Sequence, residues 1–133
     1  MKKCIVILGM HRSGTSALSG VLHILGLHLG KEIIPPHPSN PKGFFENDRI
    51  RWFNEKILDL LHGKWDDTLE MQGDIGNSGW SRAIYKEFQE IIQTEFGDCN
   101  QILIKDPRIS VLLPLYHSMF EENSIAPFFI IAV

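Results

Sequence analysis

The sequence has few cysteines, no long apolar run and no large charge excess, and each shortage excludes some classes of protein. The only two cysteines, Cys4 and Cys99, are far apart and form no CxxC pair. A disulfide framework or a structural zinc site is therefore not expected, and a reducing compartment fits. No stretch approaches the roughly 20 apolar residues that span a bilayer, and the apolar run after the basic start is too short for a secretory signal. We expect a cytoplasmic protein without a membrane span.

The charge balance also limits the partners. A net charge of −3 over 133 residues gives no general positive field, so no nucleic-acid partner is expected. Any anion site must then be local and built from a few well-aimed groups. The histidines show no metal-ligand spacing, and no metal is expected. The length fits a single domain covering residues 1–133.

Apolar periodicity predicts an α/β domain. Three short apolar runs are typical of strands buried on both faces, and the segments between them contain helical spacing. The order of these elements predicts a parallel sheet flanked by helices in three layers. The proline-rich residues 27–46 are expected to form a loop. We expect strands at residues 4–8, 101–105 and 127–133. Helices are expected at residues 15–25, from Asn47 or Asp48 to an end at Gly63, at about residues 81–96, and from Pro107 onward with a break or restart near Pro114.

Residues at the predicted helix ends are suited to capping. Asn47 or Asp48 can cap one helix and Ser81 the next, and Gly97 is placed to end the latter. Asp106 before Pro107 is typical of a helix start.

The stretch ILGMHRSGTSAL, residues 7–18, has the outline of a phosphate-binding loop between a strand and a helix. Gly9, Gly14 and Ser16 match the pattern GxxxxGK[ST], but Thr15 stands where that loop carries its lysine. Positive charge comes instead from Arg12, whose planar guanidinium can bind a tetrahedral anion through two hydrogen bonds.

The remaining groups of this loop are also suited to an anion. The backbone N–H groups of Ser13 to Ser16 can converge on it at a helix N-terminus, and the hydroxyls of Ser13, Thr15 and Ser16 add further donors. A plain strand–turn–helix corner would explain the glycines. It would not explain an arginine and three hydroxyl residues crowded around Gly14.

The stretch GMHRSGTSAL resembles the 5′-phosphosulfate loop of the sulfotransferases that use 3′-phosphoadenosine 5′-phosphosulfate (PAPS). The stretches NPKGFFE and IKDPR also resemble bacterial members of that superfamily, so the resemblance covers essentially the whole chain. It implies a P-loop-like fold without Mg²⁺, with PAPS as donor and adenosine 3′,5′-bisphosphate (PAP) as product. The residues it implies for the donor's phosphosulfate end are Arg12, Ser13, Gly14, Thr15 and Ser16.

Lys105 and Glu46 are the expected catalytic residues. Lys105 ends the second predicted strand at the edge where the loop also lies, and in the family a lysine at such a strand end faces the oxygen that bridges to the leaving phosphate. Glu46 is a candidate general base for the acceptor's proton, or equally a first-turn helix carboxylate. Arg108 either assists or pairs with Asp106 or another neighbour. The paired carboxylates of WDD, residues 65–67, more simply belong to a solvated loop.

Two other functions stay open. The first is a nucleotide kinase or NTPase with a degenerate loop, in which Asp106 would bind Mg²⁺. The second is a non-catalytic anion-binding module. In the family an arginine and a serine after the third strand hold the 3′-phosphate, and the sequence reaches only Val133, so it is expected to be the N-terminal part of a sulfotransferase and weakly active or inactive alone. The acceptor is a small molecule, carbohydrate, lipid or peptide.

Overall fold

The elements of the fold follow the predicted order along the chain. A computed structural model describes residues 1–9, 14–38, 43, 45–61 and 79–131. Among these, seven segments form regular strands or α-helices, and one short 3₁₀ helix follows the second strand. The elements are β1 (Lys2–Leu8), α1 (Thr15–Ile24), α2 (Asp48–Leu61), α3 (Gly79–Phe96), β2 (Gln101–Lys105), the 3₁₀ helix (Pro107–Ser110), α4 (Leu113–Glu122) and β3 (Ile125–Ile131).

The three strands form one parallel sheet in the order β2-β1-β3. Ile7 of β1 pairs with Lys105 of β2, and Leu8 pairs with Ile131 of β3. All three strands therefore end at the same edge of the sheet. At this edge β1 ends directly before Gly9 and the segment that leads to α1. The prediction of an α/β domain with a parallel sheet is confirmed.

Helices cover both faces of this sheet because successive side chains of a strand point to opposite faces. On one face, Ile5 and Ile7 pack with Leu103 against α1. The other face carries the larger core, in which aromatic rings of α3 and α4 meet edge to face and a ring of α2 packs against α3 in a tilted arrangement. Its principal side chains are Cys4, Val6, Ile102, Ile104, Phe53, Phe88, Tyr116 and Phe120.

Most of the predicted helix ends are confirmed, and one is wrong. Asn47 caps α2, since its Oδ1 accepts a hydrogen bond of 3.1 Å from the N–H of Ile50. Gly97 ends α3 in the left-handed region at φ +52°, and Asp106 caps the 3₁₀ helix. Ser81 is not a cap, because α3 already begins at Gly79. Helix ends fray, so the first helical residue can lie one or two positions from the cap that the sequence indicates.

The third strand departs from its prediction. The run PFFIIAV was expected to be buried on both faces, but the exposed fractions are 54% for Phe128, 39% for Phe129 and 70% for Ile131. In the described sheet β3 lies at one edge. Its main helical neighbour is α4, whereas α1 packs on β1 and β2. An apolar run alone cannot distinguish an edge strand from a central one.

Candidate functional site

The carboxyl edge of the sheet places the start of α1 beside the end of β2. Gly14 precedes α1 in the left-handed region, at φ +85°, which favours glycine there. Thr15 and Ser16 form the first turn of α1. The first N–H groups of any α-helix have no partner within the helix and favour negative charge. Arg12 and Ser13, predicted to bind the anion, lie outside the described residues, as does the side chain of Thr15.

Lys105 reaches from the last position of β2 into this first turn. Its Nζ donates a hydrogen bond of 2.9 Å to Oγ of Ser16, and only 5% of the lysine is exposed. Burial lowers the pKa of the Lys105 ammonium below its ordinary value, although the nearby charges of Glu46 and Asp106 act in the opposite direction. The Lys105 ammonium is thus buried at the start of α1 and does not face water.

Glu46 brings a carboxylate to the same place. Its Oε1 lies 3.4 Å from Nζ of Lys105, and 4% of the residue is exposed. The structure therefore joins three of the predicted site residues, Ser16, Glu46 and Lys105, although they come from α1, the segment before α2, and β2. Their assigned roles stay predictions.

The backbone around Glu46 is held firmly. Phe45, directly before it, lies in the left-handed region at φ +54°, which is costly for a residue with a side chain. Its ring packs into the core of Ile7 and Leu103. Gly20 permits this packing, since a Cβ at that position would lie 3.1 Å from Cζ of Phe45. Phe45 thus anchors the segment that carries Glu46 to the core on this face of the sheet.

A buried carboxylate that the sequence reading missed fixes the residue on the other side of Glu46. Oε1 of Glu95, on α3, accepts hydrogen bonds from Nδ2 of Asn47 at 2.7 Å and from the N–H groups of Lys31 at 3.2 Å and Glu32 at 2.8 Å. Burial raises the pKa of Glu95, but these hydrogen bonds outweigh it and hold the pKa below its ordinary value. No local pattern pointed to Glu95, because its partners are remote in the sequence.

A second buried network lies directly behind Lys105. Oδ2 of Asp106 accepts a hydrogen bond of 3.0 Å from Nδ2 of Asn54, and Oδ1 of Asn54 accepts one of 2.5 Å from the hydroxyl of Tyr116. Asn54 and Tyr116 are fully buried, and burial raises the pKa of Tyr116 well above its ordinary value. Both residues were missed as polar partners, since each sits on an otherwise apolar helix face.

Arg108 belongs to this network. Its Nη1 donates to Oδ1 of Asp106 at 3.0 Å, and its Nη2 donates to Oε1 of Glu55 at 2.9 Å. Of the two roles predicted for Arg108, pairing with Asp106 is therefore the one observed. Both oxygens of Asp106 accept hydrogen bonds, and 1% of the residue is exposed. This arrangement disfavours Asp106 as the Mg²⁺ ligand of a nucleotide kinase.

The other candidate sites that the sequence suggested contribute nothing to this group of residues. The WDD carboxylates, residues 65–67, lie outside the described residues. Within the described part, no group of three or more His, Cys, Asp or Glu side chains is arranged to hold a metal ion. Cys4 is fully buried, and burial raises the pKa of its thiol, as expected of an inert core residue. None of the described helices is long and apolar enough to cross a membrane.

Comparison with known proteins gives no match: no family model, no curated protein and no solved structure matches this chain. The chemistry of the site must therefore be argued from its geometry. A buried ammonium, a serine hydroxyl and the start of a helix are donors that stabilise developing negative charge. The adjacent carboxylate is an acceptor for a proton.

Proposed function

We propose that the protein is a sulfotransferase that binds PAPS and transfers its sulfuryl group to a hydroxyl or amine acceptor. The observation that supports this most is the position of Lys105. Its Nζ is buried, lies 2.9 Å from Oγ of Ser16 in the first turn of α1, and lies 3.4 Å from the carboxylate of Glu46. A cation and a base thus flank one place at the carboxyl edge of the sheet, where ligands of parallel α/β folds bind.

The described residues fit the phosphosulfate end of such a donor. The first N–H groups of α1, which have no partner within the helix, and the hydroxyl of Ser16 suit tetrahedral anionic oxygens. Lys105 suits the oxygen on which charge develops. The resemblance of the loop adds Arg12, Ser13 and Thr15 to this set, in a P-loop-like fold, and no Mg²⁺ is needed.

The donor, when bound, supplies a sulfuryl group whose bond to the bridging oxygen breaks as the acceptor oxygen or nitrogen bonds to sulfur and loses its proton. The ammonium of Lys105 stabilises the charge that grows on the bridging oxygen. The carboxylate of Glu46 accepts the acceptor's proton. Phe45 and Asn47 fix the backbone on either side of Glu46, so that the base keeps its place.

Calorimetric binding tests this proposal by comparing PAP without metal with ATP plus Mg²⁺. The protein is expected to bind PAP without metal and to prefer it. Lys105→Met should weaken PAP binding about tenfold or more, since hydrogen bonds to charged groups contribute about 1.5–3 kcal/mol. Lys86→Met, which removes an exposed lysine on α3, is the matched control and should leave PAP affinity unchanged.

Preference for ATP with Mg²⁺ would overturn the proposal and favour a kinase or NTPase. If Lys105→Met does not fold, Ser16→Ala removes the hydroxyl that contacts the same ammonium. It should weaken PAP binding without removing a charge.

A further inference from the structure

The ion pair between Glu46 and Lys105 is unusual for two groups expected to act on different parts of a reaction. Both side chains are 5% exposed, and Oε1 of Glu46 lies 3.4 Å from Nζ of Lys105. A buried ammonium needs a counter-charge because isolated charges are costly in a medium of low dielectric constant. In the protein without ligand, Glu46 supplies that charge.

The same position beside Lys105 is the one that an anionic oxygen of the donor needs. A carboxylate oxygen and a sulfate or phosphate oxygen accept hydrogen bonds from an ammonium in similar ways. The Lys105 ammonium has three N–H donors, one of which bonds to Oγ of Ser16. A bound anion at the start of α1 therefore competes with Glu46 for the Lys105 ammonium.

We propose that Glu46 takes the place of the donor's anionic oxygen beside Lys105 until the donor binds, and that donor binding releases Glu46 to accept a proton. This inference rests on the proposed function, and it adds an order of events. While Glu46 is paired with Lys105 it is a weak base. Once Lys105 turns to the donor, Glu46 loses its counter-charge and faces a new negative charge, so it becomes a stronger base.

The structure lets the side chain of Glu46 change partner while its backbone stays in place. The backbone oxygen of Glu46 accepts a hydrogen bond of 2.9 Å from the N–H of Ile34. Asn47 is tied to Glu95 at 2.7 Å, and Phe45 is packed into the core. The exchange therefore needs only a rotation of the Glu46 side chain.

The charged groups at this place make the effect specific. In the described part of the chain, the charges that act on Lys105 are those of Glu46 and Asp106. Asp106 is bonded to Asn54 and Arg108 and points into the second network. Asp106 does not face the position that the donor would take. Donor binding should therefore change the proton affinity of Glu46.

Carbon NMR of protein labelled at the glutamate carboxyl carbons tests the inference. The titration midpoint of Glu46, assigned with Glu46→Gln, is measured without ligand, with sulfate and with PAP. The midpoint should rise by about one to two pH units on binding, since an opposite charge within 4–6 Å holds a carboxyl group down by about one to three units. Glu95, bonded to Asn47 and remote from Lys105 in its contacts, serves as the internal control and should keep its midpoint.

The outcomes separate the two proposals. If PAP binds and the midpoint of Glu46 stays the same, the exchange is overturned and the sulfotransferase proposal stands. If neither sulfate nor PAP binds, as judged by the amide signal of Gly14, both proposals fall. If Glu46→Gln does not fold, Glu46→Asp provides the assignment, because the measurement itself is made on the unaltered protein.

Discussion

Gly30 shows how closely single residues are fitted around the site. It lies in the left-handed region at φ +91°, and a Cβ at this position would lie 2.2 Å from Nδ2 of Asn47. Any side chain at residue 30 would displace Asn47 from Glu95 and loosen the segment that carries Glu46. The sequence alone marks Gly30 only as one of 11 glycines.

Gly30→Ala is expected to destabilise the protein more than Gly26→Ala. Both positions have a positive φ, which costs a residue with a side chain about 1–3 kcal/mol. A Cβ at Gly26 would meet no described atom within 4 Å, so that variant measures the backbone cost alone. The added loss at Gly30 should be about 1 kcal/mol or more, since Asn47 loses hydrogen bonds. Urea unfolding measures both, and equal losses would contradict the contact with Asn47.

The stabilisation that Glu95 provides should depend on pH in a defined direction. Its hydrogen bonds outweigh burial and hold its pKa below the ordinary 4.5. A carboxyl group of this kind stabilises the protein fully above its unfolded pKa, and the stabilisation is lost as pH falls through the folded pKa. The difference in unfolding free energy between the unaltered protein and Glu95→Gln should therefore be largest near neutral pH and shrink in acid. Unfolding curves across that range test this, with Glu90→Gln, exposed on α3, as a control that should show little difference at any pH.

At the scale of elements, a polar network joins α2 and α4 to the turn after β2. Asn54 on α2 lies between the hydroxyl of Tyr116 on α4 and the carboxylate of Asp106. Because Asp106 directly follows Lys105, the network fixes the end of β2 from behind. The three residues act as one unit, since a buried network is costly when only partly satisfied.

Tyr116→Phe is expected to lower the free energy of unfolding by about 1–3 kcal/mol, because Oδ1 of Asn54 loses its buried donor. Tyr85→Phe is the matched control, since Tyr85 is only partly buried. It should change stability by less than about 0.5 kcal/mol. Thermal or urea unfolding measures both variants. If Tyr116→Phe left the free energy of unfolding unchanged, the hydroxyl would contribute nothing to the stability of the network.

Local sequence pattern predicted the elements well and their contacts poorly. The strand at Gln101–Lys105 and the cap at Asn47 depend on neighbouring residues, so periodicity and capping rules suffice. The partner of Asn47, Glu95, is 48 positions away, and nothing near either residue indicates the other. Lys105, Glu46 and Ser16 were predicted as a group only because the loop resembles a known one and strand ends of a parallel sheet share an edge.

At the scale of the whole molecule, the buried charge of Lys105 lowers the stability of the folded protein. Burial lowers the pKa of Lys105, which means that its charged form is disfavoured in the folded protein. A lysine with a lowered folded pKa costs stability at neutral pH, and the cost disappears as pH rises through the folded pKa towards the ordinary value. Binding sites commonly keep such unfavourable groups for function.

Removing both charges should therefore restore or increase stability, whereas removing one should not. Lys105→Met alone leaves a buried carboxylate without its cation and should cost about 3 kcal/mol. The double variant Lys105→Met with Glu46→Gln should be at least as stable as the unaltered protein. Urea unfolding at neutral pH compares the three. A double variant that is less stable than Lys105→Met alone would contradict the cost assigned to the pair.

The sheet order has a consequence for how the protein is made. β1 is the middle strand of the described sheet, yet it is synthesised before both of its partners, β2 and β3. Ser16 and Lys105, which meet at the site, are 89 positions apart. Contacts between such distant residues form slowly because much of the chain must close on itself first. The apolar β1 segment therefore stays unpaired until at least β2 has been synthesised, and the contact between Ser16 and Lys105 forms only after β2 has joined the sheet.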